Sequence, residues 1–368
     1  MKVAIIHDWY DTPGGAEKVI QALLEIYPDA DLFALVDFFD KQDRDRYLFG
    51  KSVNVSFIQK LPFASSKFRF YLSLFPIAIE QFDLSPYDLV ISSSHAVAKG
   101  VITSTQQLHI SYIYSPMRYA WDMYHTYLKA HNITGLKALI LKYTLHKIRI
   151  WDYASSTRVD KFVSISTLIQ QRVQKYYRRK SHIIFPPVDC DKFTLHTKKQ
   201  DYFITASRLV PYKKVKMIVE AFNINSLPLK VVGSGEEFEA IKKIAKPNIE
   251  IIGYCEEEEL IKLMQNAKAF VYAAYEDFGI VPVEAMSCGT PVIAYAKGGI
   301  QDTVVDKKTG LLYQHQNIES LNQAIKEFDN IDFDYQSIAE HAKKFSKQNF
   351  QQQIKQFIDD SLKAHHKN

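Results

Sequence analysis

The chain has 368 residues, with 46 Lys and Arg against 41 Asp and Glu and a formal net charge of +5. That length exceeds what one hydrophobic core usually serves, so two domains are expected, and the modest charge, with no recognised binding module beside it, argues against nucleic acid as a partner. No run of about twenty apolar residues is present to span a membrane, and Cys190, Cys255 and Cys288 are too dispersed for a disulfide framework or a metal cluster.

In chain order, Lys2 to Asp8 reads as a strand; the apolar run is too short, and ends at charges too soon, for a signal peptide. Asp11 to Glu17 reads as a turn holding Gly14 and Gly15, where paired glycines let a backbone approach a phosphate or sugar closely. A helix is expected from Lys18 to Ile26, then strands at Asp31–Val36, Asp88–Ser92, Ile110–Tyr114 and Lys161–Ile165. His95, just past a strand edge, is placed to donate to a hydroxyl or to developing charge, or to be satisfied within its own loop. Between Ile113 and Asp122, Tyr114 and Tyr119 offer aromatic faces for sugar rings, and Arg118 and Asp122 offer polar grips for an acceptor. Plain packing of an aromatic loop suits the same residues. Phe63–Phe75, Leu136–Trp151 and the basic knot Tyr176–Lys180 mix aromatics or aliphatics with cations; they suit either an anionic membrane surface or core helices with solvated lysines.

Pro186 and Pro187 break any regular element and mark a boundary. A second alternating series follows, with strands at Tyr202–Ala206, Leu229–Val232, Ile249–Ile252, Ala269–Ala273 and Pro291–Tyr295. Strands alternating with helical patterns indicate βαβ units and mainly parallel sheets, an α/β class with two doubly wound domains. Arg208 and Lys213 lie between a strand end and the helix expected at Val215–Phe222, a good place for a diphosphate. Gly233 and Gly253-Tyr254 follow strands. Glu276 and Glu284 flank Phe278-Gly279-Ile280, with a helix expected to begin near Pro282. Two carboxylates that accept from hydroxyls, with backbone amides between them, suit a sugar joined to a nucleotide. Asn349–Lys363 reads as a final helix.

The segment Glu276 to Glu284 resembles the Glu-x7-Glu signature of retaining family 4 glycosyltransferases, and Arg208-Leu209 with Lys213 resembles their Arg-Leu-x-x-x-Lys element. The resemblance implies the GT-B fold: two Rossmann-like domains facing a central cleft, with the last helix crossing back to the first domain. It places the domains at 1–188 and 189–345 and the returning helix at 346–368. It implies a metal-independent hexosyltransferase without a cofactor. Arg208 and Lys213 neutralise the diphosphate, Glu276 holds the sugar hydroxyls, and His95 completes the catalytic set. Glu284 holds the ribose; Gly14 and Gly15, with Phe278, Gly279, Ile280, Gly233, Gly253 and Tyr254, approach the donor. The aromatic segment resembles those of bacterial polysaccharide transferases, implying GDP-mannose as donor, a lipid-linked or growing surface polysaccharide such as O-antigen as acceptor, and a cytoplasmic, membrane-peripheral location. A UDP-sugar donor is the alternative. A nucleotide-dependent oxidoreductase is disfavoured because no GxGxxG with a later ribose-binding acid is present, and the four charged residues together argue against a non-catalytic subunit.

Overall fold

The computed structural model describes residues 1–130 and 134–365; the last three positions of the expected returning helix, 366–368, lie outside the described residues. The chain divides into two compact units, Met1–Pro186 with the segment from Phe350 onward, and Pro187–Asn349. The divisions fall there, not after 188 and 345, because Val188 pairs with the far end of its own unit: its N–H donates to the Phe345 carbonyl at 2.9 Å, and its carbonyl accepts from Lys347 at 3.2 Å.

The first unit contains strands β1 (Val3–His7), β2 (Asp31–Ala34), β3 (Val53–Val55), β4 (Leu89–Ser94), β5 (Leu108–Ile113), β6 (Lys161–Ser164) and β7 (Ser181–Ile183) in one sheet of order β3-β2-β1-β4-β5-β6-β7. Every pairing is parallel. The second unit has β8 (Phe203–Ala206), β9 (Leu229–Val232), β10 (Ile249–Gly253), β11 (Ala269–Tyr272), β12 (Val292–Tyr295) and β13 (Gly310–Tyr313), in the order β10-β9-β8-β11-β12-β13, again all parallel. Both are doubly wound Rossmann-like sheets of the GT-B type. Helices cover the two faces of such sheets, so central strands read as unbroken apolar runs and not as alternations. The wholly buried Val3-Ala4-Ile5-Ile6-His7 of β1 and Ala269-Phe270-Val271-Tyr272 of β11 show this.

Each sheet reverses its winding once, between β1 and β4 in the first unit and between β8 and β11 in the second. Open α/β sheets bind ligands at such switch points, beyond the carboxyl ends of the strands. The helices needed below are α1 (Gly15–Ile26), α2 (Gly135–Ser155), α3 (Thr167–Tyr177), α4 (Val215–Asn225), α5 (Ile280–Ser287) and α6 (Lys347–His365). Three start earlier than expected, α6 by two residues, at Lys347 and not Asn349. Helix α1 begins at Gly15, not Lys18, because the Glu17 carboxylate turns back to accept from the Gly14 N–H at 2.7 Å and caps the first turn. Helix α5 begins at Ile280 because Gly279, at φ +95°, makes the left-handed turn that admits it, and Pro282 falls where no helical N–H is needed. From Phe350, α6 packs on the first unit: the Phe350 ring lies 5.6 Å from Tyr112, and the Gln351 amide donates to Glu25 at 2.6 Å. No helix of the described residues is long and apolar enough to cross a membrane.

Candidate active site

In the second unit, β8 leads into Ser207-Arg208, and a short turn at Pro211–Lys213 precedes α4. Arg208 is exposed. With Gly233, Ser234, Tyr254 and Val281 it lines a pocket of about 290 Å³ at the carboxyl edge of β8, β9 and β10. Gly233, at φ +133°, is obligatory for packing: a Cβ there would lie 1.9 Å from the Ser207 carbonyl oxygen. Tyr254 projects into solvent, 73% exposed, on a backbone turned by Gly253 at φ +81°. An aromatic ring held out at a pocket rim is suited to stacking on a base.

Beyond β11 the chain runs through Glu276. Its carboxylate is held twice: Lys213 forms an ion pair with Oε1, and the Tyr272 hydroxyl donates to Oε2. Thus the cation at the end of β8 and the carboxylate at the end of β11, 63 positions apart, meet at the switch point. The loop carrying Glu276 rests on Gly298 and Gly299, which the sequence reading passed over. The Gly299 N–H donates to the Glu276 carbonyl at 2.8 Å, and a Cβ on Gly299 would lie 2.3 Å from the Phe278 Cα. Paired glycines just after β12 were the available signal. The Phe278 side chain is buried, its ring 5.8 Å from that of Phe345, so this residue anchors the loop. Glu284 sits in the second turn of α5, 8% exposed; the earlier helix start carries it past the first turn.

The first unit brings a second constellation to its own switch point. Asp8, one residue past β1, is fully buried and accepts from four consecutive backbone amides, His95, Ala96, Val97 and Ala98, at 2.6 to 2.9 Å. It also lies 3.1 Å from the His95 Nδ1. Sequence reasoning singled out His95 and missed Asp8, the residue that fixes its loop. The His95 ring packs edge-on to Trp9 at 4.5 Å and near Tyr114 at 6.3 Å. Desolvation among these groups lowers its pKa from the ordinary value, so the ring is neutral near pH 7 and donates through only one nitrogen.

The other first-unit candidates are engaged within the protein. The Gly14 amide is taken by Glu17, and Gly15 is the first helical residue. Tyr114 shares a hydrogen bond with the Ser93 hydroxyl at 2.8 Å. Asp122 pairs with Arg172 at 2.8 Å, the Tyr119 hydroxyl faces the Met117 sulfur at 3.5 Å, and Arg118 is half-buried.

Beneath the Gly14 turn, buried His7 places Nε2 3.4 Å from Glu17 and Nδ1 3.1 Å from the Ser93 carbonyl. Burial opposes the charge on each, yet their mutual attraction prevails: His7 is raised above 6.5 and Glu17 lowered below 4.5. The His7 contribution is full below pH 6.5 and is lost as pH climbs through its raised pKa; the Glu17 contribution is full above pH 4.5 and is lost as pH falls through its lowered one. Glu17→Gln should therefore lower the melting temperature most in the window from pH 4.5 to 6.5, with the deficit shrinking toward alkaline pH. A deficit that does not vary with pH would show that the pair is not charged.

Residues 190–363 match the family described as glycosyl transferases group 1. An uncharacterized glycosyltransferase of Methanocaldococcus jannaschii is 28% identical over 218 residues, 58% of this chain and 62% of the relative. A GDP-mannose-dependent monoacylated alpha-(1-6)-phosphatidylinositol monomannoside mannosyltransferase of Corynebacterium glutamicum is 31% identical over 137 residues, 33% of this chain and 36% of the relative. The chain spans less than two thirds of the length of these curated relatives. Among solved structures, the lipopolysaccharide outer core galactosyltransferase WaaB superposes with a TM-score of 0.72 at 17% identity, over 98% of this chain and 100% of the other. Anabaena HepE in complex with UDP-glucose superposes with a TM-score of 0.69 at 18% identity, over 98% and 100%. At these identities the structures bear on fold alone.

Proposed function

We propose that the protein is a retaining glycosyltransferase that moves a hexosyl group from a nucleotide sugar to a saccharide or lipid-linked acceptor. The observation that carries this reading is the meeting of Lys213 and Glu276 at the switch point of the second sheet, beside the pocket lined by Arg208 and Tyr254. Arg208 and Lys213 bind the diphosphate and stabilise the charge that develops as it leaves, so the reaction needs no metal or cofactor. Glu276 accepts from sugar hydroxyls, Glu284 from the ribose, and the amides of the Phe278-Gly279-Ile280 turn approach the sugar and diphosphate. Tyr254 covers the base. His95, its Nδ1–H turned to Asp8, presents Nε2 as an acceptor for a sugar hydroxyl, with Gly14 and Gly15 near the donor phosphates. Tyr114, Arg118, Tyr119 and Asp122 belong to the acceptor side. Glu276 binds the sugar and is not assigned as a nucleophile.

GDP-mannose is the donor we favour. The GDP-mannose-dependent relative supports it; the UDP-glucose complex among the structural neighbours supports a UDP-sugar as the second reading. An acceptor on a lipid carrier, as in O-antigen or another surface polysaccharide, would bring the chain to the inner face of the plasma membrane. That location is supported by α2, where Leu136, Leu139, Ile140 and Tyr143 are all more than half exposed and lie among Lys137, Lys142 and Lys147.

Thermal unfolding with GDP, UDP, ADP, GDP-mannose, UDP-glucose and NAD, without added metal, tests the reading. A ligand at 100 times its Kd stabilises the native state by about 2.7 kcal/mol, a readable shift. Shifts with GDP and GDP-mannose alone are expected; shifts with UDP species alone select the second reading. A response to NAD alone would overturn both.

A further inference from the structure

Tyr272 closes β11 with only 4% of its surface exposed. A buried phenol needs a hydrogen-bond partner, and this one donates to Oε2 of Glu276. The hydroxyl also lies under the turn that opens α5: a Cβ on Gly279 would come within 3.5 Å of it. Burial and the neighbouring carboxylate push the Tyr272 pKa well above its ordinary value, so the group remains a donor at all working pH values.

The second oxygen of the same carboxylate, Oε1, is paired with Lys213. In the donor site proposed above, the diphosphate and Glu276 draw on the same ammonium. When Lys213 turns toward phosphate, the phenol is the contact that continues to hold the carboxylate in place. It comes from a strand of the sheet, whereas Glu276 stands on a loop, and groups carried by rigid elements position more accurately than loop residues do.

We propose that Tyr272 is a positioning residue for the sugar half of the donor: its hydroxyl fixes the Glu276 carboxylate so that the remaining lone pairs meet the sugar hydroxyls. This rests on the donor-site reading of Glu276. It makes a split prediction, because Tyr272 acts on the sugar through Glu276 and touches neither Arg208 nor the base pocket.

The test compares the dissociation constants of GDP with GDP-mannose, and of UDP with UDP-glucose, for the wild type, Y272F, E276Q and the double variant. Y272F keeps the ring and removes one oxygen. It is expected to weaken the nucleotide sugar by about tenfold or more, the worth of a hydrogen bond to a charged group, while nucleoside diphosphate binding stays unchanged. E276Q should weaken the nucleotide sugar relative to its diphosphate in the same way, with diphosphate binding itself tightened because the Lys213 ammonium is released from the carboxylate, and the double variant should lose little of the nucleotide sugar beyond either single change. Equal loss for sugar nucleotide and diphosphate, full additivity, or no loss in Y272F would each overturn the assignment. If the wild type binds none of the four ligands, the donor-site reading itself fails and the role of Tyr272 fails with it. A second measurement avoids dependence on the folding of Y272F: 3-fluorotyrosine at position 272 should give a fluorine resonance that moves further with GDP-mannose or UDP-glucose than with GDP or UDP. The reverse order also overturns the proposal.

Discussion

Replacing Glu276 with alanine is expected to reduce transfer from a nucleotide sugar by at least about a hundredfold. Two hydrogen bonds from sugar hydroxyls to a carboxylate are lost, each worth about 1.5–3 kcal/mol, and a loss of 2.7 kcal/mol already amounts to a hundredfold. The substitution also leaves the Lys213 ammonium and the Tyr272 hydroxyl without the carboxylate that each contacts. Some stability is therefore lost along with activity, and Glu276→Gln is the cleaner companion: it keeps the shape and an acceptor while removing the charge. Steady-state rates against donor concentration separate the effects, since a folding defect lowers the active fraction at every concentration whereas a binding defect raises KM. Undiminished activity in Glu276→Ala would remove this residue from the site.

The second large effect lies in the first unit and concerns stability. Lys99 and Asp152 form an ion pair at 2.6 Å with almost no exposure of either side chain. The ammonium also donates to the Asp152 carbonyl and the Ser155 hydroxyl, at 3.1 and 3.0 Å. The other carboxylate oxygen accepts from the Trp121 indole at 2.7 Å and the Tyr177 hydroxyl at 2.8 Å. This network joins the loop after β4, the aromatic loop after β5, α2 and α3. Asp152→Ala would leave a buried ammonium uncompensated and two ring donors unsatisfied, at a cost of about 3–5 kcal/mol. The paired change Lys99→Met with Asp152→Leu should cost less than the sum of the single changes, because no charge is then left alone. Urea unfolding midpoints decide it: a shift in Asp152→Ala worth under about 1 kcal/mol would mean that water reaches the pair and screens it, as at a surface salt bridge.

The aromatic loop after β5 shows how one segment can carry two readings. Tyr114, Arg118, Tyr119 and Asp122 attract attention as sugar-binding residue types, yet Asp122 is tied to Arg172 and Trp121 to Asp152. Holding the loop by its polar ends leaves its aromatic faces in a defined place. Local sequence states the residue types; only long-range pairing states which side chains remain to meet a ligand.

Much of the architecture was already written in the chain. Leu229–Val232 was delimited as a strand to the residue, and Phe203–Ala206, Ala269–Tyr272 and Val292–Tyr295 each differ from expectation by one position at one end. Strands buried on both faces must be continuous apolar runs, and that signal is local. The strands β3 and β7 were missed because they are three-residue edge strands with half-exposed side chains; β13 was missed because it opens with Gly310, required where a Cβ would lie 2.0 Å from the Val292 carbonyl oxygen. Glu276 and Arg208 were legible because their spacing falls within one turn or loop. Contacts across the switch points were not. That Lys213 grips Glu276, and that Asp8 gathers the four amides around His95, depends on which strands lie side by side, β8 with β11 and β1 with β4. Those pairings close loops of tens of residues, and no local pattern records them. The sequence determined the residue types at each strand end, while the tertiary structure decided which of those ends meet, because parallel pairing is settled by burial of the whole sheet and not by any segment alone.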